Sequence, residues 1–150
     1  MMRAIELARS GMDSGDGGPF GCVVAKDGKI IAEGNNRVTS TNDPTAHAEV
    51  VAIRNACKSL DAFQLDGCSI YTSCEPCPMC LGAIYWARPA QVFYACTRED
   101  AAAVGFDDDL IYRELAMPNE ERERVMINLL RDEGVALFAA WDAKPDKIEY

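Results

Sequence analysis

Phe20-Gly21-Cys22-Val23-Val24-Ala25-Lys26-Asp27-Gly28-Lys29-Ile30-Ile31-Ala32-Glu33-Gly34 reads as two β-strands joined by a two-residue turn. Asp27-Gly28 is a strong hairpin signal, since such a turn favours residues that tolerate a positive φ. Before the hairpin, residues 11–19 hold four glycines and read as loop, and residues 2–10 read as a short helix with Ile5 and Leu7-Ala8 on its apolar side. After it, residues 35–44 form a polar loop. A helix is then expected to start near Pro44-Thr45, capped by Asp43 or Thr45. Val50, Ile53, Cys57 and Leu60 give that helix one apolar stripe. Residues 69–72 read as a strand, 77–87 as a helix stopped by Pro89, and 91–95 as a further strand. A hairpin followed by alternating helix and strand predicts an α/β layered fold with a mixed sheet.

The C-terminal third reads less regularly. Residues 100–116 suggest short helical turns around Gly105-Phe106-Asp107-Asp108-Asp109. Residues 120–131 predict a charged helix with Val125, Leu129 and Leu130 on one side. Val135-Ala136-Leu137-Phe138 fits either a last strand or a continuing helix, and residues 139–150 read as a polar tail with an aromatic end. With neither an internal repeat nor a linker, residues 1–150 are expected to form a single domain.

The chain has 150 residues, 49% of them hydrophobic, which is enough for a packed core and against general disorder. No run of 18 apolar residues marks a membrane span. Met1-Met2-Arg3-Ala4-Ile5-Glu6 lacks an apolar signal region, so a cytoplasmic location is expected. The formal net charge of -9 is concentrated in residues 99–150, which carry fourteen acids and six bases. Such a surface repels a polyanion and favours a small, nearly neutral partner over nucleic acid.

Seven cysteines are an odd number for disulfide pairing, and cytosolic thiols stay reduced. Cys22, Cys57, Cys68 and Cys96 are scattered among apolar neighbours and read as small buried hydrophobes. Cys74, Cys77 and Cys80 are crowded. Cys77 and Cys80, three apart at a helix start, project from one side of it, where free N–H groups and the dipole favour thiolates. Pro76 and Pro78 forfeit only amides without helical partners. With His47, the single histidine, they make one imidazole and two thiolates: a catalytic zinc set with one position left for water. Glu49 does not share a face with His47, yet from a first helical turn it can reach that water and act as general base and acid. Cys74 precedes the helix and is placed beside the ligands. A lone Cys-x-x-Cys would equally suit a redox pair or a structural knuckle; the joint pattern matches zinc deaminases.

On Asn42-Asp43-Pro44-Thr45-Ala46-His47-Ala48-Glu49 and Thr72-Ser73-Cys74-Glu75-Pro76-Cys77-Pro78-Met79-Cys80, the chain resembles the cytidine deaminase-like superfamily. Its flanks are similar to the compact bacterial guanine deaminases: Gly17-Gly18-Pro19-Phe20-Gly21, Gly34-Asn35-Asn36, Leu81-Gly82-Ala83-Ile84-Tyr85-Trp86-Ala87-Arg88-Pro89, Gly105-Phe106-Asp107-Asp108 and Lys147-Ile148-Glu149-Tyr150. The resemblance implies a three-layer α/β/α fold with a mixed five-stranded sheet, a Zn2+ cofactor, and hydrolysis of guanine to xanthine and ammonia in purine breakdown. It implies that Phe20 and Trp86 hold the purine plane, that Asn36 meets its polar edge, and that Asp108 completes the pocket. Tyr150 would close the site from the tail (residues 139–150), in a homodimer with exchanged C-terminal segments, and Glu149 would assist proton movement. On position alone, Phe20 and Trp86 also fit packing, Asn36 a turn, Asp108 a solvated acidic run and Glu149 an exposed tail. tRNA adenosine deamination and cytosine deamination are the enzymatic alternatives. A zinc-stabilised binding module and a thiol oxidoreductase are rivals of another kind.

Overall fold

The computed structural model describes residues 1–149. Two compact units divide the chain, Met1–Leu110 and Ile111 onward. In the first, helix α1 (Met2–Asp13) leads into strands β1 (Gly21–Lys26) and β2 (Lys29–Asn35), joined as a hairpin. Asp27 and Gly28 both take positive φ, 50° and 74°, as this turn requires. A single turn, α2 (Val38–Thr41), interrupts the expected polar loop and precedes helix α3 (Ala48–Leu60). Strand β3 (Ser69–Cys74), helix α4 (Pro78–Ala87), strand β4 (Gln91–Cys96) and short helix α5 (Arg98–Ala102) follow. Helix α6 (Asp109–Ala116) spans the boundary between the units.

The sheet runs β2-β1-β3-β4, antiparallel except for the parallel pair β3/β4. The mixed α/β architecture agrees with the expectation, but the sheet of the described residues has four strands and not five. Val135–Phe138, the segment left open between strand and helix, lies inside helix α7 (Arg131–Asp142). Four alanines and a leucine between residues 136 and 143 explain this choice, since these are strong helix formers.

Glycines set how closely helices approach the sheet. Gly21 and Gly34 are neighbours across the hairpin but point to opposite faces, because Gly34 pairs with Cys22. A Cβ at Gly21 would overlap the Ala4 carbonyl of α1. A Cβ at Gly34 would lie 2.5 Å from the Ala48 carbonyl oxygen and 2.6 Å from the Ala52 nitrogen of α3. Helices therefore cover both faces, as the layered expectation required. Ala48, Ala52 and Ala56 form the innermost stripe of α3, packed with Cys22, Val24 and Ile70. Of the expected larger stripe Val50 is buried, whereas Ile53, Cys57 and Leu60 are partly buried at the margin, because only methyl-sized groups fit the closest approach. Gly34→Ala is expected to push α3 off the sheet and cost about 1–3 kcal/mol, read as a lowered urea midpoint.

The start of α3 differs from its expected place. His47 is the N-cap residue and neither Asp43 nor Thr45 caps the helix. The Asp43 carboxylate instead accepts the Thr45 N–H at 2.8 Å and its hydroxyl at 2.7 Å, a local turn that holds residues 43–45 outside the helix.

In the second unit, the expected helix over 120–131 is absent; a single 3-10 turn occupies Asn119–Glu121. Asn119 is hydrogen-bonded through its side chain to both the N–H and the carbonyl of Met126, at 2.9 and 2.6 Å. In a continuous helix those residues stand about 10 Å apart, so this clasp excludes one. Leu130, with φ of 54°, then reverses the chain into α7. Among the described residues no helix is long and apolar enough to cross a membrane.

Candidate active site

The hairpin register and the parallel pairing of β3 and β4 place four chain ends at one edge of the sheet: the start of β1 and the ends of β2, β3 and β4. Phe20 and Asn36 flank that edge, and Cys74, Glu75 and Arg98 continue it. Crevices beyond the carboxyl ends of parallel strands are the usual ligand sites of α/β folds. Here the crevice is a cavity of about 500 Å3, lined among others by Phe20, Asn36, His47, Glu49, Cys77 and Asp108.

At its floor the starts of α3 and α4 meet. The ligand atoms of His47, Cys77 and Cys80 all lie within 4.8 Å of one another. His47 Nδ1 stands 3.5 Å from the Sγ of Cys77 and 3.5 Å from that of Cys80. Tetrahedral zinc, with bonds near 2.1 Å to nitrogen and 2.3 Å to sulfur, sets those atoms about 3.6 Å apart. The donor set and its spacing fit the metal. Cys77 is the N-cap of α4, Pro78 takes the first helical position, and the Cys77 sulfur accepts the Cys80 N–H at 3.5 Å. Donation from Cys80 and His47 holds the Cys77 thiol well below its usual range, while the same pairing and burial push Cys80 up. The helix terminus also favours the thiolate form at Cys77.

Glu49, 6% exposed, sits in the first turn of α3. Its Oε1 accepts from the Thr72 hydroxyl at 3.2 Å and its Oε2 lies 3.4 Å from the Cys80 sulfur. Burial pushes its carboxyl above the usual range. A buried carboxyl beside groups that could hold a metal is an arrangement able to serve hydrolytic chemistry. Cys74 lines the cavity but its Sγ points to the Thr97 carbonyl, 3.5 Å away.

The other expected residues divide. Asn36 is buried, and its Oδ1 accepts the N–H groups of Gly18 and Val38, each at 3.2 Å. Asp108 lines the cavity and its carboxyl is raised, first by burial and then by the charge of Cys77. Trp86, on the last turn of α4, is 64% exposed and outside the cavity's lining. Glu149 is exposed beside Lys147; Tyr150 lies outside the described residues. Of the scattered cysteines, Cys22 and Cys68 are buried as expected, Cys57 is half-buried and Cys96 is exposed.

Phe106 figures in the sequence only within the Gly105-Phe106-Asp107-Asp108 motif, with no role at the site assigned to it. Its ring stands edge-on to Phe20, centroids 4.8 Å apart and planes at 86°, and both rings crowd Gly18. The signal was an aromatic next to a glycine two residues before Asp108.

Residues 1–96 match the family described as the cytidine and deoxycytidylate deaminase zinc-binding region, and the chain belongs to this family. Within it, the chain is 59% identical to guanine deaminase of Bacillus subtilis, over all of this chain and 96% of the relative. The X-ray structure of the Bacillus subtilis guanine deaminase superposes with a TM-score of 0.97, covering 99% of this chain and 95% of that one. A structure of guanine deaminase from Nitrosomonas europaea gives 0.67 at 33% identity, over 95% and 82% of the two chains. The tRNA-specific adenosine deaminase of Agrobacterium fabrum is 42% identical, but over only 57% of either chain.

Proposed function

We propose that this chain is a zinc-dependent aminohydrolase that converts guanine and water to xanthine and ammonia, a step of purine breakdown. The observation that carries the reading is the buried Glu49 carboxylate beside a His47, Cys77, Cys80 ligand set at the floor of a small-molecule cavity. Full-length likeness to guanine deaminase supports the substrate.

Zinc held by His47, Cys77 and Cys80 supplies Lewis acidity that brings the pKa of a water near 7. Glu49 takes the proton released as the water oxygen bonds to the ring carbon that bears the amine. It passes that proton to the adjacent ring nitrogen, then carries the proton that the new hydroxyl gives up on becoming the oxo group to the amine, whose C–N bond breaks to release ammonia. Phe20 covers the ring face, Asn36 meets its polar edge, and Asp108 accepts from ring N–H groups. Trp86 lies outside the cavity lining of its own chain, so the part we propose for it, and for Tyr150 as closure and Glu149 as proton relay, belongs to an exchanged dimer.

The reading extends to a homodimer with exchanged C-terminal segments, in which the tail (residues 139–150) closes a site. Apolar side chains exposed on α4 and β4 (Tyr85, Trp86, Phe93, Tyr94) and on the second unit (Ile127, Leu129, Leu137, Phe138) support a covering chain. Sedimentation at a monomer's mass would overturn it. A cytoplasmic location accords with the reduced thiols the ligands require.

Ammonia release from guanine, with adenine, cytosine and a tRNA substrate alongside, tests the function. Xanthine from guanine alone supports it; turnover of another amine alone overturns the substrate assignment. Phe106→Ala removes the edge contact that backs Phe20, worth about 0.5–1.5 kcal/mol, and is expected to raise the guanine KM about 2- to 10-fold with zinc content unchanged.

A further inference from the structure

Thr72 stands on β3, 1% exposed, opposite Cys22 on the sheet face that α3 covers. A hydroxyl in that surrounding is costly unless hydrogen-bonded. Its partner is Glu49 Oε1, at 3.2 Å. The other carboxylate oxygen faces the Cys80 sulfur at 3.4 Å. Once Cys80 ligates zinc it is a thiolate with no proton to give. Of these two side-chain donors, Thr72 then remains.

The geometry leads us to infer that Thr72 is a positioning residue for Glu49, its hydroxyl fixing the carboxylate so that Oε2 faces the metal ligands. A glutamate has three side-chain torsions, and without an anchor it samples several of their wells. The anchor here is well made. Thr72 is β-branched, which restricts its χ1, and it sits on a strand paired on both sides. Ser73, the next residue, points to the other face and donates nothing to Glu49; its oxygen accepts the Gly21 N–H at 3.0 Å. The inference rests on Glu49 being the proton carrier.

Four zinc-loaded proteins test it: wild type, Thr72→Ser, Thr72→Val and Thr72→Ala. Threonine and valine differ in the hydroxyl at equal size, and so do serine and alanine at smaller size. Positioning through the hydroxyl makes wild type and Thr72→Ser a fast pair. It makes Thr72→Val and Thr72→Ala a slow pair, with kcat lower by about 10- to 100-fold, the worth of a hydrogen bond to a charged group. KM and zinc per chain stay level across all four. A packing role predicts the other grouping, with Thr72→Val like wild type and Thr72→Ser like Thr72→Ala, and that result overturns the inference. Should Thr72→Val not fold, the serine and alanine pair decides alone. The comparison is made on whichever amine the wild type turns over, so silence on guanine bears on the substrate alone. Equal kcat for wild type and Thr72→Val, and for Thr72→Ser and Thr72→Ala, with Glu49→Ala inactive, would sink the positioning role and leave the proton carrier standing.

Discussion

Glu49→Ala protein is expected to bind one zinc per chain and to lose about 10²–10⁴-fold in turnover, the usual contribution of a placed acid–base group. The two parts separate because of where the side chain sits. Glu49 is not one of the three groups whose ligand atoms converge, so the metal's contacts survive its removal. Its carboxylate nevertheless lies against Cys80 and within the cavity lining, where no other buried carboxylate among the described residues stands. Asp108 lines the same cavity but is less enclosed. Metal analysis and steady-state kinetics on the same preparation check both parts. Turnover within a few-fold of wild type would remove Glu49 from the reaction.

Cys77→Ala is expected to lose zinc and turnover together, and to lose stability as well. Cys77 is at once one of the three groups positioned to hold the metal, the N-cap of α4 and the acceptor of the Cys80 N–H. Deleting it leaves one thiol and one imidazole, too few to hold zinc tightly. A metal that binds only the folded chain stabilises it by about 4 kcal/mol at a thousandfold excess over Kd. A chelator should therefore lower the melting temperature of the wild type and leave that of Cys77→Ala unchanged. Loss of a cap adds about 1 kcal/mol. A variant that kept stoichiometric zinc would show that the metal sits elsewhere.

Where signals were local, the sequence was readable. Asp27-Gly28 demands its turn whatever surrounds it, and the two strands beside it pair as a hairpin. The ligands are legible for a similar reason: each sits at a helix start, and Pro78 announces one of them. What escaped depends on contacts distant in sequence or on competing local bonds. Nothing near Asn119 shows that its side chain will clasp Met126 instead of entering a helix. Periodicity marked the large side chains of α3, whereas the close approach to the sheet at Gly34 selects the alanines between them. Phe106 is separated from Phe20 by most of the unit, and only folding sets the two rings together.

Asn36 carries one last implication. With both N–H groups of Gly18 and Val38 on its oxygen, the amide cannot turn over without facing two donors with its own NH2. That fixes its orientation, and whatever its amino group meets in the cavity it meets as a hydrogen-bond donor. The edge of a ring that docks there has to present a lone pair; a ring turning an amino group to that spot would set donor against donor in a buried place. On the proposed reading, a side chain whose two ends are alike in shape would thus serve as a one-way reader, favouring an oxo group or bare ring nitrogen over an amine.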